Sequence, residues 1–231
     1  MTVRVVDWIF WENEAGVTNP PELPFLPSRT KRRMSLISQI ALHLGHSLMK
    51  NNKINDVIFA SRYGEITRQL SITDKILEDG EVSPAAFSYS VFNTPVAILS
   101  LTEGLTGLTR AVYSGERSFI HGLLQSLVVL ESGTINQLLF IMADEPASGY
   151  FRELSVESQQ PLAIGMTLST QMDSTETVTL SLQGENILKT YGENHNENLR
   201  NLHKWFKSDT ATPFALRGEG FSIEFRRSNT E

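Results

Sequence analysis

The stretch Thr109 to Leu127, TRAVYSGERSFIHGLLQSL, sets a short apolar run against the small pair Ser114-Gly115 and then an amphipathic helix pattern. A strand that turns sharply into a helix is where α/β folds expose nucleophiles and hold ligands. The side chains on offer are Ser114, Glu116 and Ser118; the chain has no cysteine, so a thiolate nucleophile is excluded. An esterase-type elbow needs small residues two before and two after its serine. Around Ser114 those positions hold Val112 and Glu116, both large. A serine hydrolase or acyltransferase built on Ser114 is therefore the lesser alternative. Glu116 and Arg117 open the helix, where an acid complements the positive end of the helix dipole. That structural role competes with a ligand-contacting one, since the end of a buried strand is where ligands sit.

Other reactive groups are sparse. The histidines are His43, His46, His121, His195 and His203. His43 and His46 share a helix face, but no nearby acid on that face completes a ligand set, and two ligands rarely make a metal site. His121 reads as a surface or interface side chain. Neither GxGxxG nor GxxxxGK[ST] occurs, so no phosphate loop is expected. We expect no metal and no cofactor. Arg29, Lys31, Arg32 and Arg33 form one dense positive run. Positive charge at a helix start opposes the dipole, which suggests a docking role toward an acidic partner or phosphate.

These groups must be held by a scaffold that the hydrophobic pattern outlines. Val3 to Trp11 reads as a strand, and the proline-rich stretch Thr18 to Pro27 as a surface loop. Met34, Ile37, Ile40, Ala41, Leu44 and Leu48 recur at helical spacing, giving about four turns. Asp56 to Ser61 and Gln137 to Ala143 are compact apolar runs, the pattern of strands buried on both faces. Between them lie helical patterns over Gly64–Glu78 and Pro95–Leu105, a strand over Thr109–Tyr113, and a helix from about Glu116 to Glu131. This alternation predicts a layered α-β-α fold on a mixed, mostly parallel sheet. Later, Leu162–Thr170 and Thr177–Leu182 read as a hairpin turning at Asp173 and Ser174. Asn194–Lys207 reads as a helix and Gly220–Arg226 as an edge strand. The expected organisation is a domain over residues 1–170, with a hairpin, helix and strand extension over 171–231 packed on it.

Composition narrows the classes. Of 231 residues, 40% are hydrophobic and 20% charged, ordinary for a globular protein. A net charge of -6 gives no global field for nucleic acid. No apolar run approaches the roughly 20 residues of a membrane span. The N-terminus reads as a strand rather than a signal peptide, and the expected location is cytoplasmic.

Four motifs, in this order, resemble one family: Phe59-Ala-Ser-Arg-Tyr-Gly-Glu65, Glu81-Val-Ser-Pro-Ala-Ala-Phe-Ser-Tyr-Ser-Val-Phe-Asn93, Ser114-Gly-Glu-Arg-Ser-Phe119 and Ala143-Asp-Glu145. They are similar to short β-ketoacyl synthase-like proteins, which include chain-length-factor subunits of aryl polyene and related type II polyketide systems. The resemblance runs from about Val3 to Leu168 and implies a thiolase-like half-fold. In related condensing enzymes the strand-turn-helix carries the cysteine that accepts the acyl chain. Aligning the following helix puts Glu116 at or beside that position, flanked by Ser114, Gly115 and Arg117. The second half of a complete ketosynthase supplies two active-site histidines, and the segment holding His195 and His203 does not look like those motifs. Phe92 stands where the family's SVHN-like stretch has histidine.

The resemblance thus implies a non-catalytic partner of a catalytic ketosynthase, pairing through the Thr109–Tyr113 strand. Phe87, Phe92, Tyr113 and Phe119 become candidates for limiting the acyl tunnel at a heterodimer interface. Arg29, Lys31, Arg32 and Arg33 become candidates for docking an acyl carrier protein. A scaffold that only binds carrier protein is the other alternative.

Overall fold

The computed structural model describes residues 2–13, 19–146, 160–171, 178–184 and 195–227. Eight strands form one open sheet in the order β3-β2-β4-β5-β1-β6-β8-β7. They are β1 (Thr2–Glu12), β2 (Val57–Ala60), β3 (Thr109–Val112), β4 (Gln137–Asp144), β5 (Leu162–Ser169), β6 (Val178–Gly184), β7 (Phe214–Arg217) and β8 (Phe221–Arg227). The helices are α1 (Ser28–Lys31), α2 (Leu36–Met49), α3 (Ile66–Asp79), α4 (Pro84–Ser88), α5 (Thr94–Glu103), α6 (Ser118–Glu131) and α7 (His195–Lys207).

The layering follows from burial. Strands β2, β4 and β5 are apolar on both faces, so each face needs a cover. On one face α6 and α7 supply Phe119, Leu123, Leu127, Leu199 and Leu202. On the other, α2 and α5 supply Ile37, Leu44, Leu48 and Leu99. The start of α2 is fixed by Ser35, whose hydroxyl accepts the Ser38 N–H. Helix α6 approaches the sheet through Gly122, where an added Cβ would lie 2.7 Å from both Ala60 and Phe140. Ser126, also fully buried, returns its hydroxyl to the Gly122 carbonyl.

The α-β-α layers and mixed sheet match the expected class, but the balance of the sheet does not. Among the described residues, two pairings are parallel, β2–β3 and β2–β4, and the other five are antiparallel. The expected hairpin of Leu162–Thr170 with Thr177–Leu182 is absent, because β1 pairs with β5 on one side and β6 on the other. Its turn residues Asp173 and Ser174 lie outside the described residues. The Gly220–Arg226 strand is interior rather than at the edge: β8 lies between β6 and the short β7, which pair with it as antiparallel neighbours. Beyond the Glu81–Pro84 break a further short helix, α4, begins at Pro84 with Ser83 as its cap.

Candidate functional site

Parallel pairing aligns the carboxyl ends of β2, β3 and β4, with Ala60 opposite Val112 and Met142. The segments that leave these ends carry the polar groups, as expected for an α/β ligand site. Asp144 is the hub. Its Oδ1 accepts the Ser61 hydroxyl at 2.6 Å and the Arg62 N–H at 2.7 Å. The Ser61 oxygen in turn accepts the Gly64 N–H at 2.7 Å, winding the chain into a tight turn. Gly64 has φ +54°, and a Cβ there would stand 2.4 Å from Cδ2 of Phe92. The turn thus needs glycine for both backbone and space.

Arg62 comes out of this turn nearly buried, its guanidinium 4.3 Å above the Tyr63 ring. Its Nη1 donates to both oxygens of Glu116, at 2.9 and 3.1 Å. The Arg62 side chain is 6% exposed and that of Glu116 63%. Glu116 sits in a 3-10 turn, Gly115–Arg117, that precedes α6, and Gly115 has φ +56°. The expected strand-to-helix bend is therefore present, with Glu116 in it and held by a cation that sequence reading missed. The turn is closed by Ser118, whose hydroxyl accepts the Ser114 N–H and donates to the Gly115 carbonyl. Arg117 pairs with Glu219 at 2.7 Å.

Among the described residues Ser114 has no triad around it, and no histidine hydrogen-bonds to it. His121 lies beside Phe221, and His203 stacks on Phe10 at 4.0 Å. His195 begins α7. His46 does have an acid partner, but from α5: its Nδ1 lies 2.9 Å from Glu103, and Phe25 stacks on its ring. Among the described residues no group of three histidines and acids gathers to hold a metal.

The four aromatic candidates divide. Tyr113 and Phe87 are largely exposed. Phe92 bridges inward, with its ring 5.6 Å from Tyr113 and 6.4 Å from the buried Phe59. Phe119 is only 2% exposed and faces Phe140 in the core beneath α6. Arg29, Arg32 and Arg33 are exposed and Lys31 half-buried, and among the described residues none of the four forms an ion pair. Arg68 of α3 donates to the Arg33 carbonyl, fastening the basic segment from the side.

Two further acids lie beside the start of α2. Glu65 is fully buried, and its Oε1 accepts the hydroxyls of Ser35 at 2.7 Å and Ser38 at 2.6 Å. Burial raises its pKa. Glu145, also buried, is pushed up to about 7, first by burial and then by the charge of Glu65. The signal for both was position: each follows an apolar buried strand, where an acid has no routine packing role.

A helix long and apolar enough to cross a membrane is absent among the described residues. A comparison with curated proteins finds no match. Among solved structures, one is a ketosynthase (ApeO) in complex with its chain length factor (ApeC) from Xenorhabdus doucetiae. It matches with a TM-score of 0.78 at 21% identity, covering 98% of this chain and 100% of that one. The ishigamide ketosynthase/chain length factor matches with a TM-score of 0.61 at 12% identity, over 80% of this chain and 68% of that one. A type II polyketide acyl-carrier protein in complex with its ketosynthase matches with a TM-score of 0.57 at 12% identity, over 73% and 63%. At these identities the likenesses speak to fold. The family profile "Beta-ketoacyl synthase, N-terminal domain" matches residues 8–220. With its thiolase-like layers and a glutamate in the strand-to-helix bend, the chain belongs to the β-ketoacyl synthase N-terminal domain family.

Proposed function

We propose that this chain is a non-catalytic, chain-length-factor-like partner of a catalytic ketosynthase in polyketide or aryl polyene synthesis. The observation that carries this reading is Glu116 itself. A carboxylate clamped by a buried guanidinium sits in the strand-to-helix bend, at or beside the place the resemblance gives to the condensing cysteine, and among the described residues no histidine pairs with it. Such a site has neither a nucleophile suited to a thioester nor a base to assist one.

The partner's approach is supported by β3, the outermost strand on its side. Val57 and Ser61 donate to the carbonyls of Leu108 and Val112, at 2.7 and 3.3 Å. By strand alternation, the backbone groups of Thr109, Ala111 and Tyr113 then point away from β2. A second sheet edge can pair there. Beside this edge Tyr113 meets Phe92 edge-on, and Tyr113, Val91 and Phe87 are exposed apolar side chains. In this reading these side chains wall one end of the partner's acyl tunnel, while Phe119 packs on Phe140 in the opposite layer. The basic segment Arg29–Arg33, whose four cations form no ion pair among the described residues, receives the acidic carrier protein.

The test is co-expression with a ketosynthase, followed by size measurement and acyl loading. The expected result is a stable heteromeric complex, with acyl groups on the ketosynthase and none on the isolated chain. Covalent loading of this chain alone, or failure to associate with any ketosynthase, overturns the reading.

A further inference from the structure

The two ends of the sheet meet at the bend. In the strand order β3 stands first, with β8 and β7 last. Neighbouring strands are about 4.8 Å apart, so a flat sheet of this order would hold β8 about 30 Å from β3. Yet Glu219, in the turn between β7 and β8, reaches Arg117 at 2.7 Å, and Arg117 ends the 3-10 turn that follows β3. Phe221, the first residue of β8, lies beside His121 with ring centroids 6.2 Å apart. Arg117 and His121 are four residues apart at the start of α6, so one side of that helix end meets the turn. The sheet therefore curls around the helical layer that holds α6 and α7.

The β7–β8 turn is built to hold its shape. Gly218 donates its N–H to the Phe221 carbonyl at 2.8 Å, and Arg217 pairs with Ser222 across the strands. Gly220 has φ +77°, a backbone that a side chain would strain. A Cβ at Gly218 would stand 2.5 Å from the Phe221 ring, and Phe221 packs against the core cluster that α6 covers. Glu219 is thus the tip of an anchored hairpin. The bend has less support of its own. The 3-10 turn Gly115–Arg117 buries no residue. Its local hydrogen bonds run from the Arg117 N–H to the Ser114 carbonyl at 3.1 Å and from the Ser114 N–H to the Ser118 hydroxyl at 3.0 Å. Its shape therefore depends on charges brought to it from a distance, Arg62 after β2 and Glu219 from the far end of the sheet.

We propose that the β7–β8 turn is a clamp on the bend: by holding Arg117, Glu219 keeps the 3-10 turn closed, so that the C-terminal strands set the place of Glu116 and of Tyr113 at the end of β3. Arg117 and Glu219 are positioning residues in this arrangement. The clamp gives β7 and β8 a part in shaping the face that a partner meets, and only that consequence rests on the proposed pairing through β3.

The size of the effect follows from exposure. Both partners of the ion pair are largely in water, with side chains 42% and 59% exposed. Such a pair shifts a local opening equilibrium by only about two- to fivefold, and salt screens it.

The experiment is amide hydrogen exchange on the full chain, corrected for intrinsic rates. The reporters are the N–H groups of Ser114 and Arg117, which close the bend. In Glu219→Gln they should exchange about threefold faster, while the amides of Leu127 and Leu130 inside α6 stay unchanged. Salt at about 1 M should give the same rise in the unaltered chain and no further rise in the variant. Reversing the pair, Arg117→Glu with Glu219→Arg, should restore protection that Arg117→Glu alone loses. Bend amides that ignore Glu219→Gln, a rise shared equally by Leu127 and Leu130, or a reversed pair no better protected than Arg117→Glu alone overturns the proposal. Should the reversed pair not fold, the salt comparison decides: an equal response to salt in the unaltered chain and in Glu219→Gln refutes the clamp. Binding of a ketosynthase, measured separately, tests the pairing through β3 without bearing on the clamp.

Discussion

Arg62 and Glu116 form an ion pair of unequal partners: one guanidinium nitrogen reaches both carboxylate oxygens, yet the cation is 6% exposed and the anion 63%. The pair ties the turn after β2 to the bend after β3. Removing the exposed partner lets water approach the guanidinium, whereas removing the buried one empties a packed position over Tyr63. We expect Glu116→Gln to cost about 1 kcal/mol and Arg62→Ala about 3 kcal/mol, read from urea unfolding. The opposite order would refute this account of the bend.

Gly64 and Phe92 are a second coupled pair. Gly64→Ala must accept a left-handed backbone and a collision with the Phe92 ring. The expected cost is about 2–4 kcal/mol. In a Phe92→Ala background the collision vanishes and only the backbone strain remains, about 1 kcal/mol. Equal costs in the two backgrounds would show that the ring does not press on the turn. The same variants separate the packing of Phe92 from its proposed role at the interface.

The open edge of β3 gives a direct probe of partner pairing. Ala111 turns its N–H away from β2, and proline is tolerated where an edge strand faces solvent. Ala111→Pro should keep the isolated chain within about 1 kcal/mol of its parent. The same variant should lose co-purification with a ketosynthase. A proline variant that still forms the complex would move the interface elsewhere.

Three histidines set the acid limb of stability. His43, His121 and His203 all have lowered pKa values, each chiefly through burial. The folded state favours their neutral forms, so their contribution is present above about pH 6.5 and is lost as pH falls through the lowered values. His203→Phe keeps the stack on Phe10 and removes the titration. Its urea midpoint should fall less between pH 7 and pH 5 than that of the parent chain. An identical fall would remove His203 from the account.

The legible part of the fold was the part that is local. Helical spacing from Met34 to Leu48 and the apolar runs ending at Ser61 and Ala143 report their own burial, so α2, β2 and β4 could be read directly. The error over β5 and β6 arose because neighbouring strands usually pair, whereas here the first strand enters between them. Residues 2 to 12 show that they form a strand but not which strands they separate. Glu116 was legible because the bend has a local signature. Its partner Arg62 lies 54 residues away, and only the parallel alignment of β2 with β3 brings the two together. Glu65 and Glu145 close recognisable motifs, but their burial comes from the start of α2, which lies far from both in sequence.

The unpaired flank of β3 has a consequence for the protein's life in the cell. A strand with no proline within it and only Arg110 as a charge adds to whatever extended segment meets it first, including a second, misplaced copy. Surplus molecules would then clump, and under the proposed pairing a ketosynthase made in step with this polypeptide would cover the edge first.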